Sequence, residues 1–248
     1  MITAITPTGD RHTAFDLCRR WIAAQTLKPD QWIIIDDGRE LLEIKFDEPY
    51  VQYIRREPRP DDPKHTLVVN IDCALSYVRG DRIFFIEDDE YYAPEYIECL
   101  NHQLFDYQLV GIGCSKYYHL PTGGYTQHAN MNHASLAQTA YRAELTPLVA
   151  HCVAQGMEKY WLDDRLWRAA RDTEEKKKKT LVFNDEANPL YVGMKGLPGR
   201  NGIGIGHKPA SYREHDNDSR DQLKKWIPRD YQVYLDLLEE KKCASSSS

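Results

Sequence analysis

The sequence lacks any hydrophobic run that approaches the roughly 20 residues needed to cross a bilayer. Its first residues also lack the basic segment and apolar stretch that mark a signal peptide. We therefore predict a protein with no membrane span.

Paired cysteines are missing as well, because the six cysteines are scattered and none forms a CxxC pair. Cys18, Cys73 and Cys99 fall on apolar faces of predicted helices, where a reduced cysteine behaves as a small hydrophobic residue. Histidines offer no alternative metal pattern, since the spacings of His119, His128 and His133 fit no standard zinc site. This usage favours a reducing cytoplasm.

Excess positive charge is absent, since the formal net charge is −6. Such a balance argues against a protein that grips nucleic acid over its whole surface. A local basic patch remains open at Lys176–Lys179, which Arg168 and Arg171 precede. The alternative interpretation of this lysine run is a solvated loop.

Strand and helix patterns alternate over the first two thirds of the 248 residues. Helical spacing of apolar residues is clearest from Leu67 to Val78. This alternation predicts an α/β fold with a mostly parallel central sheet flanked by helices. Strand-length apolar runs occur at Ile2–Ile5, Trp32–Ile35, Val51–Ile54, Ile83–Ile86, Leu109–Cys114 and Leu181–Phe183.

The pattern changes after Leu109. A stretch over 110–142 looks antiparallel and contains a turn at 121–124, and two helices follow at about 144–157 and 162–172. A glycine-rich loop is predicted at 193–206 and a last helix near 228–242. No linker interrupts the chain, so we predict one domain over 1–242 and a disordered tail at 243–248.

Carboxylates follow predicted strands at two places, where ligands of open α/β sheets collect. Asp36, Asp37 and Gly38 end one strand, and these acids could accept hydrogen bonds from a nucleobase or a ribose, or simply cap a turn. Glu87, Asp88 and Asp89 follow another strand.

Three consecutive acids repel one another unless a cation lies among them. Alternate residues of an extended segment point the same way, so Glu87 and Asp89 can face a common ligand. Hard oxygen donors suit Mg²⁺ or Mn²⁺, and a diphosphate would supply further oxygens. A solvated acidic turn is the alternative.

A third acidic pair, Asp163 and Asp164, opens a predicted helix. Successive helical residues lie about 100° apart, so only one of the two can point into a given site. A carboxylate near a helix N-terminus is stabilised as an anion and could serve as a base, or Asp163 could only cap the helix.

The order of these motifs resembles the GT-A (Rossmann-like) fold of family 2-like glycosyltransferases, including small ones encoded by bacteriophages. The resemblance covers about residues 1–210. It rests on Ile5-Thr-Pro-Thr-Gly-Asp10-Arg11, Ile35-Asp36-Asp37-Gly38, Asn70 and Ala74, Gly80-Asp81, Phe85-Ile86-Glu87-Asp88-Asp89 and Asp163-Asp164.

The resemblance implies a nucleotide-sugar-binding half at 1–108 and a half at 109–242 that binds the acceptor, with a small antiparallel extension on the acceptor side. It places Glu87, Asp88 and Asp89 at the family's DxD motif, where Glu87 replaces the usual first aspartate. Asp89 and Glu87 would then bind Mn²⁺ or Mg²⁺. The remaining nucleotide-sugar contacts would come from Thr6, Pro7, Thr8, Arg11, Asp36 and Asp37.

The same resemblance makes Asp164 the usual catalytic base, with Asp163 beside it. His207 follows the glycine-rich loop and is a third candidate metal ligand, since late histidines return to the metal in several GT-A enzymes. Lys195 and Arg200 flank that loop and could offset charge on a leaving diphosphate.

We expect a metal-dependent, inverting glycosyltransferase that uses a nucleotide-sugar donor, with UDP as the favoured nucleotide. Relatives from phages suggest an acceptor in DNA, such as a hydroxymethylated pyrimidine, in the cytoplasm of a bacterium or a phage-infected host. A saccharide or small-molecule acceptor is the alternative. A sugar-phosphate nucleotidyltransferase and a non-catalytic nucleotide-sugar-binding module are the remaining interpretations.

Overall fold

The computed structural model describes residues 1–42, 45–156, 161–185, 189–200 and 219–246. Its strands are β1 (Ile2–Thr8), β2 (Gln31–Asp36), β3 (Val51–Arg55), β4 (Arg82–Phe85), β5 (Tyr91–Tyr92), β6 (Leu109–Ile112), β7 (Cys114–His119), β8 (Gly124–Ala129), β9 (Thr139–Arg142), β10 (Thr180–Phe183) and β11 (Tyr191–Lys195). Its helices are α1 (His12–Ala24), α2 (Leu67–Leu75), α3 (Tyr96–Gln103), α4 (Thr146–Ala154), α5 (Leu162–Ala169), α6 (Glu174–Lys177), α7 (Ser219–Trp226) and α8 (Tyr231–Ser246), and short 3-10 turns precede β9 and α4.

The larger sheet has seven strands in the order β10-β6-β9-β4-β1-β2-β3. Strands β3, β2, β1 and β4 run parallel, as do β6 and β10, while β9 runs antiparallel between β4 and β6. Because the parallel strands end at one edge, this edge gathers the loops that follow β1, β2 and β4. The structure thereby confirms the predicted mostly parallel α/β sheet.

Both faces of this sheet are buried, as a parallel sheet requires. Along β2, Trp32 and Ile34 pack into one apolar cluster with α1 and α3, while Ile33 and Ile35 pack into a second cluster with α2, α4 and α5. Successive side chains of a strand point to opposite faces, so the four consecutive apolar residues of β2 serve both clusters.

The smaller sheet has the order β5-β11-β7-β8. Its β5–β11 and β7–β8 pairs are antiparallel and its β11–β7 pair is parallel. The predicted turn at 121–124 joins β7 to β8. The glycine-rich loop expected from residue 193 begins later, because Gly193 pairs with Tyr117 inside β11.

Gly113 divides the apolar run that the sequence suggested as one strand over 109–114. A Cβ at this position would lie 2.4 Å from the carbonyl oxygen of Asn130 and 2.6 Å from Val182. Its own N–H donates to the carbonyl of Phe183 at 2.7 Å. The chain therefore leaves the larger sheet here and enters the smaller one.

The C-terminal segment packs against α1. Trp21 in α1 donates its indole N–H to the hydroxyl of Tyr234 in α8 at 3.1 Å. Helix α8 extends to Ser246, which takes in the first residues of the predicted tail at 243–248.

Two further expectations concern the protein as a whole. None of the described helices is long and apolar enough to span a bilayer. Among the described residues, Cys18, Cys73, Cys99, Cys114 and Cys152 form no disulfide, and Cys18 is fully buried.

Candidate active site

The carboxyl ends of β1, β2 and β4 meet at one edge of the larger sheet. Thr8, the last residue of β1, lies opposite Asp36, the last residue of β2. On the other side, the N–H of Ile86 donates to the carbonyl of Ile5 at 2.9 Å, which carries the acidic segment after β4 past β1. Parallel pairing thus brings acids that are about 50 residues apart in sequence to one place.

The two aspartates after β2 have different surroundings. Asp36 is fully buried and accepts hydrogen bonds from the hydroxyl of Tyr53 at 2.6 Å and the N–H of Gly38 at 2.8 Å. The carboxylate of Asp36 therefore has its hydrogen-bond partners within the protein. Asp37 accepts from Arg56 at 2.9 Å through one oxygen and from Arg200 at 2.5 Å through the other.

The charge of Asp37 is well stabilised. Burial by itself would raise the pKa of this carboxyl, but hydrogen bonds from Arg200, Thr66 and Arg56 outweigh burial and hold the pKa below its ordinary value. Arg56 also bonds to Asp62 at 2.7 Å and to Asn70 at 2.6 Å, which fixes its guanidinium. Asp37 is an ionised acceptor between two arginines.

The acidic segment after β4 divides into two parts. Asp88 accepts from the hydroxyl of Thr8 at 2.6 Å and from Arg11 at 2.8 Å. Arg11 also lies 3.1 Å from Asp89. Asp88 is therefore held by the loop after β1, whereas Glu87, Asp89 and Glu90 each offer an oxygen within 4.8 Å of the others, as a metal site requires.

Two cations offset part of this negative charge. Arg11 pairs with Asp88 and Asp89, and Lys195 pairs with Glu90. When all four carboxyls are ionised, two negative charges remain after these two cations are counted, which one divalent ion would balance. Burial raises the pKa of Glu87 to about 7, with the charge of Asp89 as the second cause, and burial likewise raises the pKa of Glu90 to about 8.

The segment before residue 200 closes over the loop after β1. Arg200 donates its backbone N–H to the carbonyl of Asp10 at 3.0 Å, and Arg11 donates from Nε to the carbonyl of Arg200 at 2.7 Å. Gly199 permits this approach with a φ of +111°, because a Cβ there would lie 2.4 Å from the carbonyl oxygen of Asp10.

The acidic pair Asp163 and Asp164 begins α5. Trp161 precedes it with a φ of +87°, an uncommon conformation for a bulky residue. Asp163 accepts the N–H of Asp164 at 2.9 Å, and burial raises its pKa. The charge of Asp163 also helps to raise the pKa of Glu87, so this end of α5 lies near the acidic segment.

Asp164 faces a different space. Its carboxylate lies 2.8 Å from Nε of Arg168 and lines a cavity of about 550 Å³. The cavity is lined by Asn130, Asn132, His133, Asp164, Trp167, Arg168, Arg171, Glu174 and Lys177.

Several expected contacts have other partners in the structure. Thr6 is fully buried and its hydroxyl accepts from the indole of Trp32 at 2.8 Å, and Pro7 beside it is also buried. Lys195 pairs with Glu90, and its ammonium lies 5.6 Å from the ring centroid of Tyr117. His207 lies outside the described residues.

Two residues of the site, Glu90 and Arg56, were not predicted from the sequence. Glu90 directly continues the acidic run, and its position next to Asp89 was the available signal. Arg56 follows β3, and the Arg55-Arg56 pair at a strand end could have indicated it. Within the described part of the chain, Glu87, Asp89 and Glu90 form the sole group with metal-ligand geometry, so the three histidines form no zinc site there.

Comparison with known proteins gives this arrangement a context. The model of the family "Glycosyl transferase family 2" matches residues 4–164. This range begins in β1 and ends at Asp164. No curated protein sequence matches the chain significantly.

Solved structures share the fold at low identity. S. aureus TarS has a TM-score of 0.56 at 14% identity over 78% of this chain and 36% of its own. Residues 1–349 of TarS in complex with UDP-GlcNAc score 0.54 at 13% identity, over 90% of this chain and 64% of that one. The mannosyltransferase PcManGT from Pyrobaculum calidifontis, in complex with GDP-Man and Mn²⁺, scores 0.50 at 13% identity, over 79% of this chain and 57% of its own.

This chain spans about a third of TarS and less than two thirds of the other two. The family match, by contrast, takes in more than half of its residues, from the first strand to the acidic pair of α5. On that match, with the α/β sheet and its acidic edge, the chain belongs to glycosyl transferase family 2.

Proposed function

We propose that this protein is a metal-dependent, inverting glycosyltransferase that moves a sugar from a nucleotide-diphosphate donor to an acceptor hydroxyl. The observation that carries the proposal is the group Glu87, Asp89 and Glu90. It lies on the same sheet edge as Asp37 and close to the acidic start of α5.

The acidic group fits a divalent metal by its donor set. Carboxylate oxygens are the ligands that Mg²⁺ and Mn²⁺ prefer, and the fully ionised acids keep two negative charges after Arg11 and Lys195 are counted. We infer that Asp89, Glu87 and Glu90 hold the ion. A bound ion would neutralise the donor diphosphate as it leaves. PcManGT, which shares the fold, is known in complex with GDP-Man and Mn²⁺.

The surroundings of Asp37 favour uracil as the donor base. Its carboxylate lies between the donors Arg56 and Arg200, but its side chain is 1% exposed and Arg200 covers one oxygen, so a base reaches Asp37 only where Arg200, which is 37% exposed, turns aside. The uracil edge has the complementary order, with an N–H between two carbonyl oxygens. Guanine would turn its amino group toward an arginine, and cytosine or adenine would turn a ring acceptor toward the carboxylate. TarS, of the same fold, is known in complex with UDP-GlcNAc.

We propose Asp164 as the general base. Its side chain lines the cavity between α5 and α6, with 29% of its surface exposed, so an acceptor hydroxyl can approach it. The acceptor oxygen attacks the anomeric carbon, the bond from that carbon to the diphosphate breaks, and the proton passes to the carboxylate. A single displacement of this kind inverts the configuration. Asp163, which lies nearer to Glu87, is the rival base.

For the acceptor, a hydroxymethylated pyrimidine of DNA and a saccharide hydroxyl remain the two candidates. The basic segment at 176–179 supports DNA weakly, because its lysines are largely paired with acids just before it, as Lys176 is with Asp172 and Lys179 with Glu175. Salt-dependent retention on duplexes with and without the modified base separates the candidates. Equal retention on both duplexes would exclude recognition of the modified base.

A thermal-shift experiment tests the donor and the metal together. UDP with Mn²⁺ should stabilise the protein more than GDP, CDP or ADP do, because stabilisation by a ligand grows with its concentration relative to Kd. A ligand at 100 times its Kd adds about 2.7 kcal/mol. Asp89→Asn should remove the dependence on Mn²⁺. The matched variant Asp88→Asn should retain it, because Asp88 is bonded to Thr8 and Arg11. Equal stabilisation of wild type and Asp89→Asn by Mn²⁺ would exclude the proposed metal site.

A further inference from the structure

The cavity beside Asp164 lies between α5, α6 and the loop that follows β8. Its lining contains the cations Arg168, Arg171 and Lys177 and the carboxylates Asp164 and Glu174. The cavity therefore carries excess positive charge within a protein whose net charge is −6. This local reversal distinguishes it from the acidic edge of the sheet.

Arg171 accounts for the excess positive charge of the cavity. Its Nη1 donates to the carbonyl of Asn132 at 2.6 Å, and more weakly to that of Met131 at 3.4 Å. These carbonyls fix the guanidinium at the cavity without neutralising it. Lys177 has Glu174 at 3.6 Å, and Arg168 has Asp164 at 2.8 Å, but no described carboxylate lies within 4 Å of Arg171.

Arg168 links the cavity to the proposed chemistry. While Arg168 is bonded to Asp164, it competes with an acceptor hydroxyl for that carboxylate. Its side chain is 79% exposed and belongs to a surface ion pair of adjacent helical turns, and pairs of this kind contribute little to stability. An anion in the cavity can therefore draw Arg168 away at little cost.

We propose that this cavity binds a phosphate group of the acceptor. Arg171 is the fixed anchor, Lys177 adds charge, and Arg168 turns from Asp164 to the phosphate, which frees the base when the acceptor is in place. Three cations suit a group with several charged oxygens, and guanidinium matches phosphate geometry. The inference rests on the proposed function for the role of Asp164, but binding in the cavity does not depend on it.

Inorganic phosphate is the probe, and backbone amide shifts of Asn132, Arg171 and Lys177 in ¹⁵N-labelled full-length protein report on the cavity. We expect saturable shifts in the wild type, and at least about a tenfold loss of affinity in Arg171→Gln. Lys28→Gln is the matched control, because it removes one exposed cation from the loop before β2, outside the residues that line the cavity, and should leave the affinity unchanged.

Three outcomes overturn the inference. These are an absence of saturable shifts at those amides, an affinity that Arg171→Gln leaves unchanged, or an equal loss in Lys28→Gln. A phosphodiester oligonucleotide and a sugar phosphate, titrated in the same way, then show which source of phosphate binds more tightly. Binding of UDP and Mn²⁺ is measured on the same samples. If phosphate does not bind in the cavity while UDP and Mn²⁺ still bind, this inference alone is refuted.

Discussion

Arginines hold Asp37 and Asp88, which follow β2 and β4, whereas Asp164 at the start of α5 meets open space. Asp88 and Asp37 lie at the ends of parallel strands, and bonds to Arg11, Arg56 and Arg200 fix them. On the acceptor side, Asp164 has an exposed arginine and a cavity as neighbours. The difference indicates that the sheet edge fixes the side chains proposed to bind the donor, while α5 and the loop after β8 leave the proposed base, Asp164, adjustable.

The largest effect is expected at the proposed base, Asp164, on the open side of this comparison. Asp164→Asn should lower kcat by about 10²- to 10⁴-fold, because an amide cannot take the proton, and should leave binding of UDP unchanged. A transfer assay measures the expected loss of turnover, and calorimetry measures UDP binding separately. Asp163→Asn is the matched neighbour, and if it alone abolished turnover, Asp163 and not Asp164 would be the base.

A smaller effect is expected at the pre-formed donor site. Asp37→Asn should weaken UDP binding by about 10- to 100-fold and should reduce the preference for UDP over CDP, because an amide can donate where the carboxylate only accepts. Calorimetric titration with both nucleotides measures this change. Asp36→Asn controls for folding, since Asp36 bonds to Tyr53 and Gly38 within the protein, and should change stability rather than base preference.

The smallest effect concerns stability and pH. Burial raises the pKa of Asp163, so ionisation of this carboxyl costs folding free energy as the pH rises through that pKa. Asp163→Asn should therefore raise Tm at pH 7 by about 2 °C. The gain should vanish in acid below the ordinary aspartate pKa of about 3.9, where both side chains are neutral. A gain that persisted in acid would have a cause other than ionisation.

Prediction from sequence succeeded where local pattern and strand direction suffice. The apolar runs Trp32–Ile35 in β2 and Ile83–Ile86 at β4 are uninterrupted, and the acids that follow them could only reach the same edge of a parallel sheet. The boundary at Gly113 was missed, because close contact with Asn130 and Val182 is a tertiary constraint that leaves no periodic signal.

Partners were harder to predict than positions. Lys195 looked suited to a diphosphate, but its nearest carboxylate, Glu90, lies 105 residues earlier in the chain. Arg200 and Arg56 converge on Asp37 from separate segments, and their positions in the sequence do not indicate that they share this partner. Long side chains have many conformations, so the folded surroundings decide which ion pairs form.

The sequence by itself determined the α/β class, the family motifs and the carboxylates at the strand ends, because hydrophobic periodicity and strand polarity are local properties of the chain. Only the tertiary structure decided that Asp88 is taken by Thr8 and Arg11 while Glu90 joins Glu87 and Asp89. It also decided that Asp164 faces a basic cavity. These arrangements depend on distances between segments far apart in sequence, which packing of the two sheets alone establishes.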